Sequence, residues 1–303
     1  MNTQSSAVPE SPLDPSKIPP AATRATRPLY WSVRRELWEY RSIYMAPLAV
    51  AGVALFGFLI ATIGRAMASP SLAQRRQVLE EPYAFATGLI MVTAFIVSVF
   101  YSLDALHGER RDRSILFWKS LPVSDLTTVL AKASIPLVVL PLLSFVITVA
   151  TQLIMLLLSS IVLLGSGLSV ATLWTQASSF LMALLYHLVT VHMLWYAPIY
   201  GWLLLVSGWA RRVAFLWAGL PLLAICAVER IAFNTTHFAA LLKYRLMGPE
   251  VFQLPGPGRL AMGSMTHFSP EKFLSSPGLW IGLAVAAIFL AAAVRLRRYR
   301  EPI

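Results

Sequence analysis

The sequence predicts an all-α integral membrane protein with six transmembrane helices. Of its 303 residues, 57% are hydrophobic and only 13% are charged, whereas soluble domains carry about 25% charged residues. Uncharged runs of bilayer length recur along the chain, and a membrane-spanning helix needs about 20 such residues. A membrane β-barrel would instead show alternating segments of about ten residues. Composition and the length of the apolar runs therefore both favour helices.

The N-terminal part of the chain is expected to lie outside the membrane. Residues 1–27 are rich in Ser, Pro and Ala and have no apolar core, which predicts a disordered cytoplasmic tail rather than a signal peptide. In residues 28–44, apolar and aromatic side chains recur at helical spacing, with Arg and Glu on the other faces. We expect an interfacial helix that lies on the membrane before the first span. The alternative is an ordinary solvent-facing helix.

We expect residues 28–303 to form a single membrane domain. Residues 133–210 contain no charge and would be about 117 Å long as one helix, so the chain must turn back near Gly165. Prolines such as Pro136 and Pro141 can bend the long third span. Residues 230–277 mix short apolar pieces with Pro and Gly, and an extracytoplasmic region with a re-entrant or interfacial helical hairpin fits them. The predicted spans are residues 45–64, 83–103, 133–164, 176–209, 213–228 and 278–294.

The distribution of Lys and Arg predicts which side of the membrane each connection faces. Six spans place both termini on one side, and that side, with residues 105–132 and the Arg211–Arg212 pair, carries 17 of the 25 basic residues. Cytoplasmic loops carry the excess of Lys and Arg, so we expect these segments in the cytoplasm. The same topology accounts for the net charge of +11, so nucleic-acid binding is not expected.

The connection between the second and third predicted spans, residues 105–132, is unusually charged. Seven of the 19 residues from His107 to Asp125 are charged, in a chain that has little charge over long distances. Residues 114–119 are compatible with a short helix, which Pro122 would end. Large apolar side chains accompany the charges, and such side chains are typical anchors of protein interfaces. The connection therefore predicts a docking site for a second protein, and the alternative is a solvated loop without a partner.

Catalytic and metal-binding motifs are missing from the sequence. It contains no GxxxxGK[ST] phosphate loop, no HExxH and no GxSxG. His187 and His192 are five residues apart, which places them about 140° apart around a helix and makes a shared metal ion unfavourable. We therefore predict no catalytic residue, no metal site and no cofactor bound by this chain.

Polar and aromatic side chains in the predicted spans are candidates for a substrate cavity, because polar groups inside a membrane often mark transport pathways. The alternative is that they bond to neighbouring helices or pack in the aromatic belt. The candidate cavity residues are Gln152, His187, His192, Trp195, Tyr196 and Tyr200.

Residues 109–132 resemble the connection after the second span in ABC-2 type permeases, the membrane subunits of many bacterial ABC exporters. The family pattern runs acidic–basic, Gly-Thr, apolar, Leu, small, Pro-Val-Ser, with a Lys at the start of the next span. Arg113 stands where Gly is usual, and Ser114 stands where Thr is usual. Residues 196–212 also resemble the family's junction between the fourth and fifth spans, and the likeness covers about residues 28–300. The matching residues of the connection are Glu109, Leu121, Pro122, Val123, Ser124 and Lys132.

This resemblance implies a coupling helix that docks into a groove on a separate ABC ATPase subunit, which would bind ATP and Mg. It also implies alternating access, an assembly with a second permease copy, most simply a homodimer, and a location in the bacterial inner membrane. Charged residues would form the rim of the docking surface and apolar residues its centre. The predicted docking residues are Glu109, Arg110, Arg111, Asp112, Arg113, Ser114, Ile115, Phe117, Trp118, Lys119, Leu121 and Pro122.

Two other classes of function compete with an ATP-driven permease. An ion-coupled carrier or channel would work without an ATPase, and it predicts buried acids within the spans and an inverted repeat. Every Asp and Glu lies at or outside the end of a predicted span, and the two halves show no clear repeat. A membrane enzyme would require a catalytic motif, which the sequence does not contain. The sequence therefore favours the permease, with an unidentified substrate.

Overall fold

A computed structural model describes residues 28–67, 72–120, 123–165, 174, 184–185, 188–247 and 273–299. These residues are predominantly helical and contain no β-strand. Two π-helical segments, Ile135–Val139 and Leu188–Trp195, interrupt the α-helices. The α-helices, in chain order, are α1 (Pro28–Glu39), α2 (Ser42–Met67), α3 (Leu72–Asp104), α4 (His107–Arg111), α5 (Ser114–Ser120), α6 (Asp125–Ser134), α7 (Leu140–Gly165), α8 (Ala197–Trp209), α9 (Ala214–Phe233), α10 (His237–Met247) and α11 (Pro277–Tyr299).

Five stretches of the described chain are long and apolar enough to cross a membrane. The prediction of an all-α, multi-pass membrane protein is therefore confirmed. The predicted fourth span, residues 176–209, is described in its later part by the second π-helical segment and α8, whereas most of residues 176–187 lie outside the described residues. The five stretches are Ser42–Thr62, Phe85–Arg111, Asp125–Ile161, Ala214–Phe233 and Pro277–Tyr299.

The helix that precedes the first span is shorter than the predicted segment of residues 28–44. Helix α1 ends at Glu39, the chain turns at Tyr40 and Arg41, and α2 begins at Ser42. The Tyr40 ring packs edge-on against the Tyr101 ring at 5.0 Å between centroids, and its hydroxyl donates to Asp104 at 3.1 Å. These contacts anchor the turn to the end of α3 and set the direction in which α1 leaves the bundle.

The third span belongs to a helical stretch that begins before the predicted residue 133. Helix α6 starts at Asp125, where the Ser124 hydroxyl caps it by accepting from the Thr127 N–H at 3.1 Å. Pro136 lies in the π-helical segment that joins α6 to α7, as expected where a proline removes a backbone donor. The whole stretch to Gly165 is about 60 Å long at 1.5 Å per residue, roughly twice the hydrocarbon thickness. Part of it therefore projects out of the membrane.

Close helix packing fixes the end of the bundle near α4. Helices α8 and α11 approach each other at Gly201, where an added Cβ would lie 3.3 Å from the carbonyl oxygen of Ala286. A buried cluster that includes Ile43, Tyr101 and Leu204 joins the start of α2, the end of α3 and α8. Helix α9, in contrast, is almost entirely exposed, since only 6% of its most apolar stretch is buried against the described part of the chain. The charged connection is therefore held in position by the packed helices α1, α3, α6, α8 and α11.

The fifth span is longer than the predicted residues 213–228, because α9 continues to Phe233. Glu229, the first residue after the predicted end of this span, binds the beginning of α10. Its carboxylate accepts from the backbone N–H groups of His237 at 2.6 Å and Phe238 at 2.8 Å, and from the Thr235 hydroxyl at 2.9 Å. A carboxylate in this position satisfies the free N–H groups of a helix N-terminus. The contact sets the angle between α9 and α10.

Candidate functional site

Four buried ionic side chains from four helices meet at one end of the bundle. Each of the four is at most 5% exposed. The partly exposed Arg35 and Asp125 join them, and together the six residues are called the charged cluster. The four buried members are Glu36 of α1, Glu109 of α4, Lys132 of α6 and Arg297 of α11.

Two cations lie between the carboxylates of Glu36 and Glu109. The Lys132 ammonium is 2.9 Å from Glu36 Oε1 and 3.2 Å from Glu109 Oε1. The Arg35 guanidinium is 2.7 Å and 2.8 Å from the same two oxygens. Burial lowers the pKa of Arg35, but the carboxylates of Glu36 and Glu109 outweigh burial and leave the pKa raised. Helices α1, α4 and α6 are thereby joined through charge.

The second carboxylate oxygens of Glu36 and Glu109 are also occupied. Arg297 binds Glu109 Oε2, and its Nε lies 3.2 Å from Asp125 Oδ1. The Tyr101 hydroxyl donates to Glu36 Oε2 at 2.8 Å. Three cations thus face three carboxylates, and the cluster is neutral overall. Pairing with opposite charge is what allows these side chains to be buried at all.

Beside the cluster, α4 is fastened to the C-terminal end of α8. The Ser207 hydroxyl accepts the backbone N–H groups of Leu106 at 3.0 Å and His107 at 2.9 Å. Arg110 is buried, and its Nη1 donates to the carbonyl oxygens of Gly208 at 2.9 Å and Ala210 at 3.2 Å. The last carbonyls of a helix have no partner within the helix, and a cation is favoured there. Glu109 therefore binds α1, α6 and α11, whereas the adjacent Arg110 binds the end of α8.

Helix α5 follows after a sharp turn and presents two different faces. Ile115 is 2% exposed and faces the chain, whereas Leu116 and Phe117 are 59% and 61% exposed. Trp118 is half-buried, with the Arg35 guanidinium 3.8 Å from its ring centroid. A cation above an indole face is attractive. One face of α5 is thus attached to the charged cluster, and the other is free.

The predicted docking residues are therefore divided between the interior and the surface. Glu109, Arg110 and Ile115 are buried in the chain, so their side chains hold the segment in place rather than form its exposed face. Ser114 and Trp118 are half-buried, and Leu121 and Pro122 lie outside the described residues. Sequence reasoning missed the exposed Leu116. The predicted residues that are exposed are Arg111, Asp112, Arg113, Phe117 and Lys119.

The predicted cavity residues that the structure describes pack between helices. Gln152 is buried, and its amide donates to the Thr87 hydroxyl at 2.7 Å, which joins α7 to α3. Trp195 and Tyr200 are fully buried, His192 is buried and Tyr196 is half-buried. The Trp195 indole donates to the carbonyl oxygen of Arg245 at 3.0 Å. His187 lies outside the described residues. A role for these residues in a cavity stays a prediction.

Within the described residues, no group of three or more His, Cys, Asp or Glu side chains is placed to hold a metal ion. The comparisons with known proteins give no family: no protein-family model, curated protein or solved structure matches the chain.

Proposed function

We propose that this chain is the transmembrane permease subunit of an ATP-driven ABC transporter, which docks a separate ATPase subunit through α5. The observation that carries the proposal is the construction of the connection between α3 and α6. In this connection, the exposed apolar side chains of Leu116 and Phe117 lie next to the charged cluster, whose charges are buried and paired. A solvated loop would need neither the exposed aromatic ring nor the charged cluster.

The geometry around Arg113 and Glu109 supports the resemblance to ABC-2 type permeases. The family pattern has Gly where this chain has Arg113, and the backbone of Arg113 takes a left-handed conformation with φ of 57°, which glycine tolerates best. The acidic and basic ends of the pattern, Glu109 and Lys132, contact each other at 3.2 Å. The family pattern therefore has a physical counterpart at two residues that match it, Glu109 and Lys132, and in the backbone at the position where it has Gly.

The docking surface would combine a small apolar centre with a basic rim. Leu116 and Phe117 form the centre, and Arg111, Arg113 and Lys119 are exposed around it. Apolar anchors contribute most of the binding energy of an interface, while rim charges steer association and fix the orientation. The groove on the ATPase is expected to be apolar with acidic residues at its edge.

The charged cluster would transmit movement from the ATPase to the spans. Arg35 contacts Trp118 of α5 and two carboxylates of the cluster, and Glu109 connects α4 to α6 and α11. A displacement of α5 would therefore shift α1, α6 and α11 together instead of bending a loop. Rigid-body movement of this kind is how packed bundles change access from one side to the other.

The proposal includes the finer topology. The chain would have six spans, both termini and α5 in the cytoplasm, α1 on the surface of the bacterial inner membrane, and a second permease copy as partner. The exposed Tyr30, Trp31 and Trp38 on α1 support its place at the headgroup level, where aromatic rings are enriched. ATP and Mg would be bound by the ATPase alone.

Co-purification tests the proposal. The tagged chain, solubilised gently from its own host, is expected to bring down a soluble ATPase in roughly stoichiometric amount. Replacing both Leu116 and Phe117 by Ala should abolish this association without loss of membrane insertion. Leu241→Ala, which changes an exposed leucine of α10, is the control and should leave association unchanged. Unchanged association of the double variant would place the docking surface elsewhere.

A second candidate is an ion-coupled carrier that works without an ATPase. The buried carboxylates of Glu36 and Glu109 favour it, because ionisable groups buried in membrane proteins often carry protons or bind ions. Both carboxylates are already neutralised by Lys132, Arg35 and Arg297, which favours the permease. Transport by the purified chain in proteoliposomes, driven by an ion gradient alone, would instead support the carrier.

A further inference from the structure

A basic groove opens at the same end of the bundle as the charged cluster, between the end of α3, α4 and the beginning of α9. Its volume is about 520 Å³. Arg111, Arg211 and Arg212 contribute the positive charge, and Phe100 and Phe215 contribute apolar surface. We propose that this basic groove binds the phosphate headgroup of an anionic phospholipid. The inference requires only that the chain spans a membrane and does not depend on the proposed permease function.

The charges of the basic groove are unbalanced. Among the described residues that line the groove, Asp104 is the one carboxylate. It is already engaged by the Tyr40 hydroxyl at 3.1 Å and by Arg111 at 3.7 Å. Arg211 and Arg212 are exposed and have no hydrogen bond or ion pair with any residue in the part of the chain that the structure describes. Two guanidinium groups are therefore available to an anion, and a guanidinium binds phosphate oxygens in pairs.

The beginning of α9 adds backbone donors to the same groove. Ala214, the first residue of α9, lines it, and no side chain caps the helix at Val213. The N–H groups of the first turn of a helix have no partner within the helix, and its dipole favours an anion there. Arginine side chains and backbone donors thus converge on one place.

The apolar wall indicates a lipid rather than a free ion. Phe100 and Phe215 are 64% and 66% exposed. Phe100 lies one turn before the end of α3, and Phe215 lies in the first turn of α9. A side chain exposed at this position meets the glycerol and upper acyl region of the bilayer. Basic pockets between membrane helices are suited to anionic lipid headgroups. A ligand with a phosphate and an acyl chain complements both parts of the groove.

Binding of short-chain phosphatidylglycerol to the purified full chain tests the inference. Phosphatidylcholine and inorganic phosphate serve as comparison ligands. Phosphatidylglycerol is expected to bind most tightly, and the double variant Arg211→Gln with Arg212→Gln should bind it roughly 30-fold more weakly. Arg230→Gln with Lys243→Gln, which removes two exposed cations from α9 and α10, is the matched control and should retain full affinity. Circular dichroism confirms that both variants remain helical.

Three outcomes would overturn the inference. Equal binding of inorganic phosphate and phosphatidylglycerol would indicate a site for a free anion. Equal losses in the double variant and in its control would indicate attraction by overall surface charge. Unchanged lipid binding in the double variant, with loss of an associated protein, would show that the groove is a protein interface.

Discussion

The ammonium of Lys132 lies 2.9 Å from a carboxylate oxygen of Glu36, although 96 residues separate the two in sequence. Both side chains are 1% exposed. Lys132 also lies 3.2 Å from Glu109, so a single cation connects α1, α4 and α6. Buried ion pairs add little net stability, but removing one partner leaves an uncompensated charge. Removal of Lys132 therefore leaves two buried carboxylates of the charged cluster without one of their cations.

Lys132→Met should lower the free energy of unfolding by about 3–5 kcal/mol, because it leaves two buried carboxylates facing each other with less opposing charge. Thermal or denaturant unfolding in detergent measures the change. Lys119→Met, which removes an exposed lysine, should change stability by less than about 0.5 kcal/mol. Adding Glu36→Gln to Lys132→Met should recover part of the loss, and strictly additive effects of the two changes would contradict a direct interaction.

At Arg113, between α4 and α5, glycine should be tolerated better than valine, which is the opposite of their order within a helix. The left-handed φ of 57° at Arg113 costs an L-residue about 1–2 kcal/mol, and a β-branched side chain is the least compatible with it. Arg113→Gly should therefore be neutral or stabilising, whereas Arg113→Val should loosen the junction between α4 and α5 and increase cleavage there in limited proteolysis. At the nearby Arg111, which lies in α4, the order should be the opposite: Arg111→Gly should be more damaging than Arg111→Val. Equal sensitivity of the two glycine variants would argue against the strained turn.

The class and most spans of this protein could be predicted from sequence because hydrophobic length is a local property. A run of uncharged residues such as 42–62 or 277–294 identifies a span without any knowledge of its neighbours. The end of α1 at Glu39 could not be predicted, because it depends on contacts of Tyr40 with Tyr101 and Asp104, more than 60 residues later.

The charged cluster was missed for the same reason. The Arg297–Glu109 contact joins residues that are 188 positions apart, and each charge taken alone looked like a topology signal or a docking residue. One local signal was present: Lys132 stands between Ala131 and Ala133, close to Val129, and these residues are buried. A lone cation in an apolar face of a helix requires a buried carboxylate partner. Applied to Lys132 at the end of a span, that requirement predicts a carboxylate partner, and Glu36 and Glu109 are the two it has.

The far end of the bundle depends on the absence of a side chain at Gly282. A Cβ added there would lie 1.6 Å from Nη2 of Arg245, whose guanidinium stacks on Trp195 at 4.4 Å and donates to the carbonyl oxygen of Gly278 at 3.1 Å. Gly282→Ala should displace Arg245 and lower the free energy of unfolding by about 1–2 kcal/mol. It should also release α10 from the bundle, which proteolysis near residue 247 would detect.

Gly219→Ala is the matched control for that change, because no described residue comes within 4 Å of a Cβ added there. Alanine at this position should stabilise α9 by up to about 1 kcal/mol. In a chain that already carries Arg245→Ala, Gly282→Ala should have little further effect. A full loss in that double variant would show that the clash involves another part of the chain.

If the chain is a permease, substitution of Arg297 should impair the transmission of movement to the spans without impairing the docking of the ATPase. Arg297 joins Glu109 to Asp125 from the last turns of α11 but is not part of the exposed face of α5. Arg297→Gln is therefore expected to retain ATPase association within about twofold, since the docking surface is unchanged, while transport coupled to ATP hydrolysis falls by tenfold or more. Association by co-purification and transport in proteoliposomes are the two readouts. Arg298→Gln, one residue on and exposed, should leave both unchanged. If Arg297→Gln instead removes ATPase association while the chain stays folded, the charged cluster belongs to the docking surface itself, and movement of α5 is not passed to α11 in the way proposed.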